Sequence, residues 1–268
     1  MTETDYVTAQ QVEDSYVNFL QEHSAGHHRQ FLKRRTDNPH AARAEAVVFS
    51  WLRSDGFGPK PFEDLSTGGA DFKCFRPGAQ EFMLEVTSLD PEAVATRTQT
   101  PVEVTDGISG GFYDDDIRKL KSVVSCKADQ LKDYPTPRVL AITSSDHLSG
   151  VQLGRQSAKA LLGFKYLTSE PNFQNSVFTM RGANGDITPR LRSVSAVLLI
   201  SLSTNPIEMV GFLHPDPVRP LDPRTFPDVP FVRITNWPLS PDREVEIEWT
   251  LGRPEQKQVC NSLVPLSA

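Results

Sequence analysis

Asp71 and Glu85 stand on two short apolar runs separated by Pro77-Gly78-Ala79, and two carboxylates brought together on a hairpin can hold a divalent cation. Residues 70 to 76 and 81 to 88 are rich in Phe, Met, Val and Leu, and the tripeptide between them is turn chemistry. The segment therefore predicts two antiparallel strands folded about Gly78, with Asp71 opposite Glu85. Side-chain alternation puts Met83, Glu85 and Thr87 on one face and Phe82, Leu84 and Val86 on the other, so one face is apolar and the other carries the acid. A hard cation such as Mg2+ (or Mn2+) takes oxygen ligands and keeps several waters, and Asp71, Glu85 and the Val86 carbonyl make a sufficient protein half-shell. Such a centre acidifies water and neutralises charge on a phosphodiester, and a nearby lysine can orient the water or stabilise the developing charge.

The elements around the hairpin follow from local signals. Residues 6 to 35 read as a polar helical stretch with a loose apolar face of Tyr6, Val12, Tyr16, Phe19 and Leu20. It ends in a basic cluster, His27-His28-Arg29 to Lys33-Arg34-Arg35, which reads either as a solvated helix end or as a phosphate-contacting patch. Asn38 suits an N-cap, Pro39 the first helical position and Gly56 the stop of a second helix with an apolar stripe of Ala41, Ala44, Val48 and Leu52. Glu45 lies beside that stripe, facing either the sheet or the solvated rim.

Asp90 to Tyr113 shows little periodicity and reads as a loop or insertion. Asp114-Asp115-Asp116 opens a further helix through Tyr134, where acids complement the helix dipole, and prolines 135 and 137 stop it. Its stripe runs Leu120, Val124, Lys127, Leu131 and Tyr134, so a lysine occupies a core-facing position, snorkelling or functional. Arg138 to Thr143 is a continuous apolar run, expected to be a buried central strand. Gly150 to Phe164 suggests another helix, and Val194 to Leu202 with Ile207 to Leu213 a strand pair joined near Asn205-Pro206. From His214 onward prolines are dense, predicting an irregular wrap with one late strand around Glu244 to Leu251.

The order of these features resembles the restriction-endonuclease-like PD-(D/E)XK nuclease superfamily. A helix with Glu45 precedes Gly69-Ala70-Asp71 and Leu84-Glu85-Val86-Thr87, then come a helix with Lys127 and Gln130 and a buried strand. The resemblance spans roughly residues 39 to 143, and Gln130-Leu131-Lys132-Asp133-Tyr134 is similar to the QxxxY element of its exonuclease branch. It implies a central mixed β-sheet flanked by helices, an α/β core, with Asp71 and Glu85 as metal ligands and Glu45 as an accessory acid. It also implies that Gln130 and Tyr134 support the substrate or the active site. Thr87 stands where the pattern asks for lysine, and Ala70 where it asks for proline. Some members supply the lysine from the following helix, which makes Lys127 the first candidate and Lys73 the second, with Lys73 and Thr87 near substrate.

The expected organisation is a helical extension over 1–38, a nuclease-like core over 39–213 and a proline-rich wrap over 214–268. The leading expectation for function is a metal-dependent phosphodiester hydrolase acting on DNA. The alternatives are a catalytically inactive module of the same fold that binds nucleic acid or protein, and an unrelated α/β protein whose two acids sit at the solvent face of a hairpin. Composition bounds the choice: 268 residues with 38% hydrophobic content suffice for a sizeable core. A net charge of −6 argues against nonspecific adhesion to nucleic acid through bulk positive charge, though not against a local groove. Cys74, Cys126 and Cys260 are odd in number and lack CxxC spacing, which disfavours a disulfide framework or a cysteine-rich zinc site. The longest apolar run, Val194 to Leu202, is about half of a membrane span, so the chain is expected to be cytoplasmic with no membrane partner. No G-x-S-x-G elbow, Walker loop, H-E-x-x-H helix or G-x-G-x-x-G turn is present, and His147 and His214 lack partners at ligand spacing and read as surface loop residues.

Overall fold

The computed structural model describes residues 9–66, 68–89, 111–145, 161–162, 176–182, 186–202, 207–239 and 245–251, with the side chains of 111–119 and 181 outside that description. The N-terminal helical stretch is two helices, α1 (Ala9–His23) and α2 (Ala25–Asp37), because Ser24 leaves helical geometry at φ −158° and ψ 89°. Val12, Tyr16 and Leu20 at spacing of four form the buried face of α1, and Phe31 is buried from α2. In α3 (Pro39–Ser54) the Asn38 side chain accepts the Ala41 N–H at 3.0 Å, the expected cap, and Gly56 closes the segment at φ +80°. α3 is buried on nearly every face from Ala44 to Leu52, since α1 and α2 cover the side that a lone surface helix would give to water. Buried Glu13 of α1 ties the three together through Arg43 at 3.0 Å and Arg35 at 3.2 Å. The N-terminal helices thus share the core of α3 rather than trailing from it.

The chain continues through β1 (Lys60–Pro61), β2 (Phe72–Cys74), β3 (Phe82–Leu89), α4 (Gly111–Gln130), β4 (Arg138–Ser144), β5 (Thr179–Arg181), β6 (Ile187–Pro189), β7 (Ala196–Ser201), β8 (Glu208–Leu213), a 3-10 turn (Pro223–Thr225), β9 (Phe231–Ile234) and β10 (Ile247–Trp249). Eight of the strands form one mixed sheet in the order β1-β2-β3-β4-β7-β8-β9-β10, and β5 pairs with β6 alone. β3, β4 and β7 run parallel at its centre, which requires crossover connections, and the flanking pairs β2/β3 and β7/β8 are antiparallel. The fold is α/β, a large mixed sheet with helices on its faces.

β4 is buried along its whole length, as its unbroken apolar run predicts. Val139 and Ala141 face the core under α1 to α3, while Leu140 and Ile142 face the core under α4 with Leu120, Val124 and Ala128. β7 divides in the same way, Ala196 and Leu198 to one side and Val197 and Leu199 to the other. Buried Arg138 opens β4 and donates to the Lys132 carbonyl at 2.7 Å, pinning the chain that leaves α4.

Three expectations change, and two readings fall outside the described residues. α4 ends at Gln130, so Tyr134 lies past it, just beyond a turn over 131–133, and the Asp114-Asp115-Asp116 side chains fall outside the described residues. The helix expected over 150–164 also falls there, apart from buried helical Leu161 and Leu162. His214 is a buried residue rather than a surface one. Its Nε2 donates to the Arg190 carbonyl at 2.6 Å and its Nδ1 accepts the Asp216 N–H at 3.0 Å, and burial pushes its pKa down to about 4. The proline-rich segment contributes two strands to the main sheet: β9 runs parallel to β8, and β10 pairs with β9. Proline density hides β9 in the sequence, yet Pro230 only precedes it and its missing N–H removes nothing from the ladder. β8 admits β9 closely at Gly211, where a Cβ would fall 2.2 Å from the Phe231 ring. Among the described residues no helix is long and apolar enough to cross a membrane.

Candidate functional site

The hairpin forms as the turn chemistry predicts. Gly78 takes φ +76°, Ala79 N–H donates to the Arg76 carbonyl at 3.1 Å, and the register pairs Phe72 with Leu84, Lys73 with Met83 and Cys74 with Phe82. One further step of that register sets Asp71 against Glu85. β2 begins only at Phe72, so the edge of β3 beside Glu85 lacks a strand partner, and Asp71 fills the gap by accepting the Val86 N–H on Oδ2 at 2.7 Å. An extended residue directs its N–H and C=O to the same side, so the Val86 carbonyl also faces this edge.

Glu85 points to the α4 face with Met83, and Phe82, Leu84 and Val86 point to the α3 face, the alternation expected from sequence. Its carboxylate is 3% exposed, and Lys127 of α4 donates to Oε1 at 2.5 Å. Oε2 is buried with no hydrogen-bond partner. Lys127 sits on the stripe that carries Val124, Ala128 and Leu131 into the core, and its side chain stays 26% exposed, so the snorkelling lysine is aimed at the second acid.

Asp71 lies between the layers, with Glu85 on one side and Glu45 of α3 on the other. Glu45, 8% exposed, accepts the Tyr16 hydroxyl on Oε1 at 2.8 Å and Arg34 on Oε2. Arg34 also reaches Glu63 at 2.9 Å and Asp71 Oδ1 at 3.6 Å. Of the basic cluster, Arg34 is therefore not a solvated helix end but the cation at the centre of three acids. His27 from the same helix donates Nε2–H to the Glu63 carbonyl at 3.0 Å, so α2 holds this loop by two anchors.

Burial pushes Asp71 up to about 7, with Glu45 adding to the rise while the Val86 N–H and Arg34 oppose it. Burial and then the Asp71 charge push Glu85 up to about 8 against the pull of Lys127. Burial also raises Glu45, with Arg34 opposing. Burial works against the Arg34 charge, but Glu45, Asp71 and Glu63 hold its pKa above the ordinary range. With all four carboxylates ionised, four acids against two cations leave two negative charges, the complement of one divalent ion, and the raised pKa values of Asp71 and Glu85 mean that these acids hold protons at neutral pH until a cation displaces them.

The remaining candidates divide. Tyr134 holds the backbone that leads into Asp71: its hydroxyl accepts the Ala70 N–H at 3.0 Å, and a Cβ on Gly69, at φ +135°, would lie 2.4 Å from that oxygen. Thr87 is half-buried one turn of the pleat beyond Glu85. Gln130 ends α4 and is exposed. Lys73 pairs with Glu81 at 3.0 Å, toward the hairpin turn. Tyr16, Arg34 and Glu63 were not read from sequence as partners of these acids. A signal for Arg34 existed, since His27, Phe31 and Arg34 are spaced by four and three and share the buried side of α2.

Among the described residues no three His, Cys, Asp or Glu side chains converge as a metal-ion cluster. The donors suited to a hard cation are instead the two carboxylates of Asp71 and Glu85 with the Val86 carbonyl, and the partnerless, buried Glu85 Oε2 fits that use. No protein-family model, curated protein or solved structure matches the chain.

Proposed function

We propose that the chain is a divalent-metal-dependent phosphodiester hydrolase of the restriction-endonuclease-like PD-(D/E)XK type, acting on DNA in the cytoplasm. The observation that carries this reading is the buried pair Asp71 and Glu85 on facing positions of one hairpin, with the Lys127 ammonium 2.5 Å from Glu85 Oε1 and Glu85 Oε2 left without a partner. The order of elements agrees: a helix bearing Glu45, a three-stranded antiparallel segment, a helix bearing Lys127, and a buried strand parallel to β3. Thiols at Cys74 and Cys126, both free, suit a reducing compartment.

In this reading Asp71, Glu85 and the Val86 carbonyl hold Mg2+ or Mn2+, which when bound supplies Lewis-acid stabilisation of charge on a phosphodiester oxygen. Lys127 takes the place of the lysine absent at Thr87. From α4 it orients Glu85 and presents an ammonium to charge that grows on the phosphoryl group. Tyr134 fixes the Gly69-Ala70 backbone and thereby the start of β2. Half-buried Thr87 and exposed Gln130 are the residues this reading assigns to contacts with DNA.

The test is cleavage of DNA with Mg2+, Mn2+ or chelator. Wild type cleaves only with the ion, and Asp71→Ala or Glu85→Ala abolishes cleavage while circular dichroism stays unchanged. Activity that persists in both variants, or that needs no divalent ion, refutes the assignment. A second reading, an inactive module of the same fold, is favoured by Thr87 in place of lysine and by the Arg34 contact with Asp71. A ligand that binds only the folded state must stabilise it, so the absence of any metal-induced rise in Tm selects this second reading.

A further inference from the structure

Arg34 has no part in the hydrolysis proposed above, yet it is the most heavily engaged cation of the site. We propose that Arg34 is a resident cation standing where a second divalent ion would otherwise sit among Glu45, Glu63 and Asp71, so that the site takes a single ion, at Asp71 and Glu85. This rests on the metal site of the preceding subsection.

Three carboxylates from three parts of the fold converge on one guanidinium: Glu45 from α3, Glu63 from the loop after β1, and Asp71 from the entry to β2. The planar fork meets two of them at once, with Nη1 on Glu45 and Nη2 on Glu63, which a lysine ammonium cannot reproduce. Both oxygens of Glu45 are taken, Oε1 by Tyr16 and Oε2 by Arg34, so the acid expected to be accessory has no lone oxygen facing Asp71 for an ion. The oxygen of this group without a partner is Glu85 Oε2, on the carboxylate whose other oxygen Lys127 holds. Arg34 is also held in place. Phe31, one turn earlier on α2, packs edge-on to Tyr16 with ring centroids 4.9 Å apart, and His27 anchors the Glu63 loop. Guanidinium is never deprotonated at working pH, so the second positive centre is permanent.

The test counts bound Mn2+ from the electron paramagnetic resonance signal of the free ion, in wild type and in Arg34→Met. Wild type is expected to bind one ion and Arg34→Met two, because the freed Glu45, Glu63 and Asp71 oxygens then form a second set. An Arg34→Met protein that is unfolded in chelator but regains its circular dichroism in millimolar Mn2+ supports the proposal equally, since the ion then replaces the guanidinium. Two ions on wild type, or one on a folded Arg34→Met, overturn the proposal and leave the hydrolase reading intact. So does failure of both Arg34→Met and Arg34→Gln to fold at any Mn2+ concentration. No ion on wild type instead removes the metal site itself, and the hydrolase reading with it.

Discussion

Glu85→Gln should stabilise the metal-free protein at pH 8 while destroying its response to metal. Glu85 is 3% exposed, carries one partnered oxygen and one unpartnered one, and titrates near 8 instead of its ordinary 4.5. Because the folded-state value lies above the unfolded one, the folded chain holds more protons between those pH values, and its stability falls as pH rises through that window. Below 4.5 the carboxyl is protonated in both states and the penalty vanishes. At about 1.4 kcal/mol per pH unit the rise from 4.5 to about 8 corresponds to roughly 5 kcal/mol at pH 8. An amide at Glu85 removes the charge and still accepts from Lys127 through its oxygen, but leaves an unpartnered NH2 where Oε2 stood, which takes back about 1–3 kcal/mol. The net gain is on the order of 2–4 kcal/mol at pH 8, shrinking to nothing, or to a small loss from the orphaned amide, near pH 5. Urea unfolding in chelator at both pH values measures it, and the same titration with Mg2+ should stabilise wild type but not the variant. A Glu85→Gln protein less stable than wild type at pH 8 in chelator would refute the argument that a buried carboxylate with one unpartnered oxygen is held there for an ion.

Three further outcomes follow from the same geometry. Lys127→Met should keep the metal-induced rise in Tm and lose roughly a hundredfold or more in DNA cleavage rate, the scale of a positioned proton-transfer or charge-stabilising group. Gly69→Ala should destabilise the protein, since its Cβ would meet the Tyr134 hydroxyl at 2.4 Å; adding Tyr134→Phe should relieve part of this, the ring carbon being 3.7 Å away, and a double-mutant cycle reads the coupling. Gly211→Ala should cost about 1–3 kcal/mol by pushing its methyl into the Phe231 ring, measurable as a lower urea midpoint.

How far the sequence carried these conclusions differs from element to element. The α3 cap at Asn38, the hairpin turn at Gly78, the alternating faces of β3 and the buried β4 were all legible, because each rests on local chemistry or on a single period. Lys127 was visible as a charged residue on an apolar stripe, and its partner was named from the order of motifs. Arg34, Tyr16 and Glu63 were not read as site residues, because their convergence depends on how α1 and α2 pack on α3, which no local pattern encodes. The basic run around Arg34 looked solvated because its composition is predominantly basic; only the spacing to buried Phe31 marked it. β9 was missed for a related reason: prolines dominate its surroundings, whereas its place beside β8 is set by Gly211 and Phe231 meeting across the sheet.

The central claim is that Asp71 and Glu85 share one divalent ion. Diffraction from crystals soaked in Mn2+, with data collected at a wavelength where manganese scatters anomalously, addresses it directly. The account predicts a single anomalous peak in contact with the Asp71 carboxylate, Glu85 Oε2 and the Val86 carbonyl, with Arg34 still bound to Glu45. A peak elsewhere in the molecule, or none in wild type at an Mn2+ concentration that raises its Tm, contradicts it.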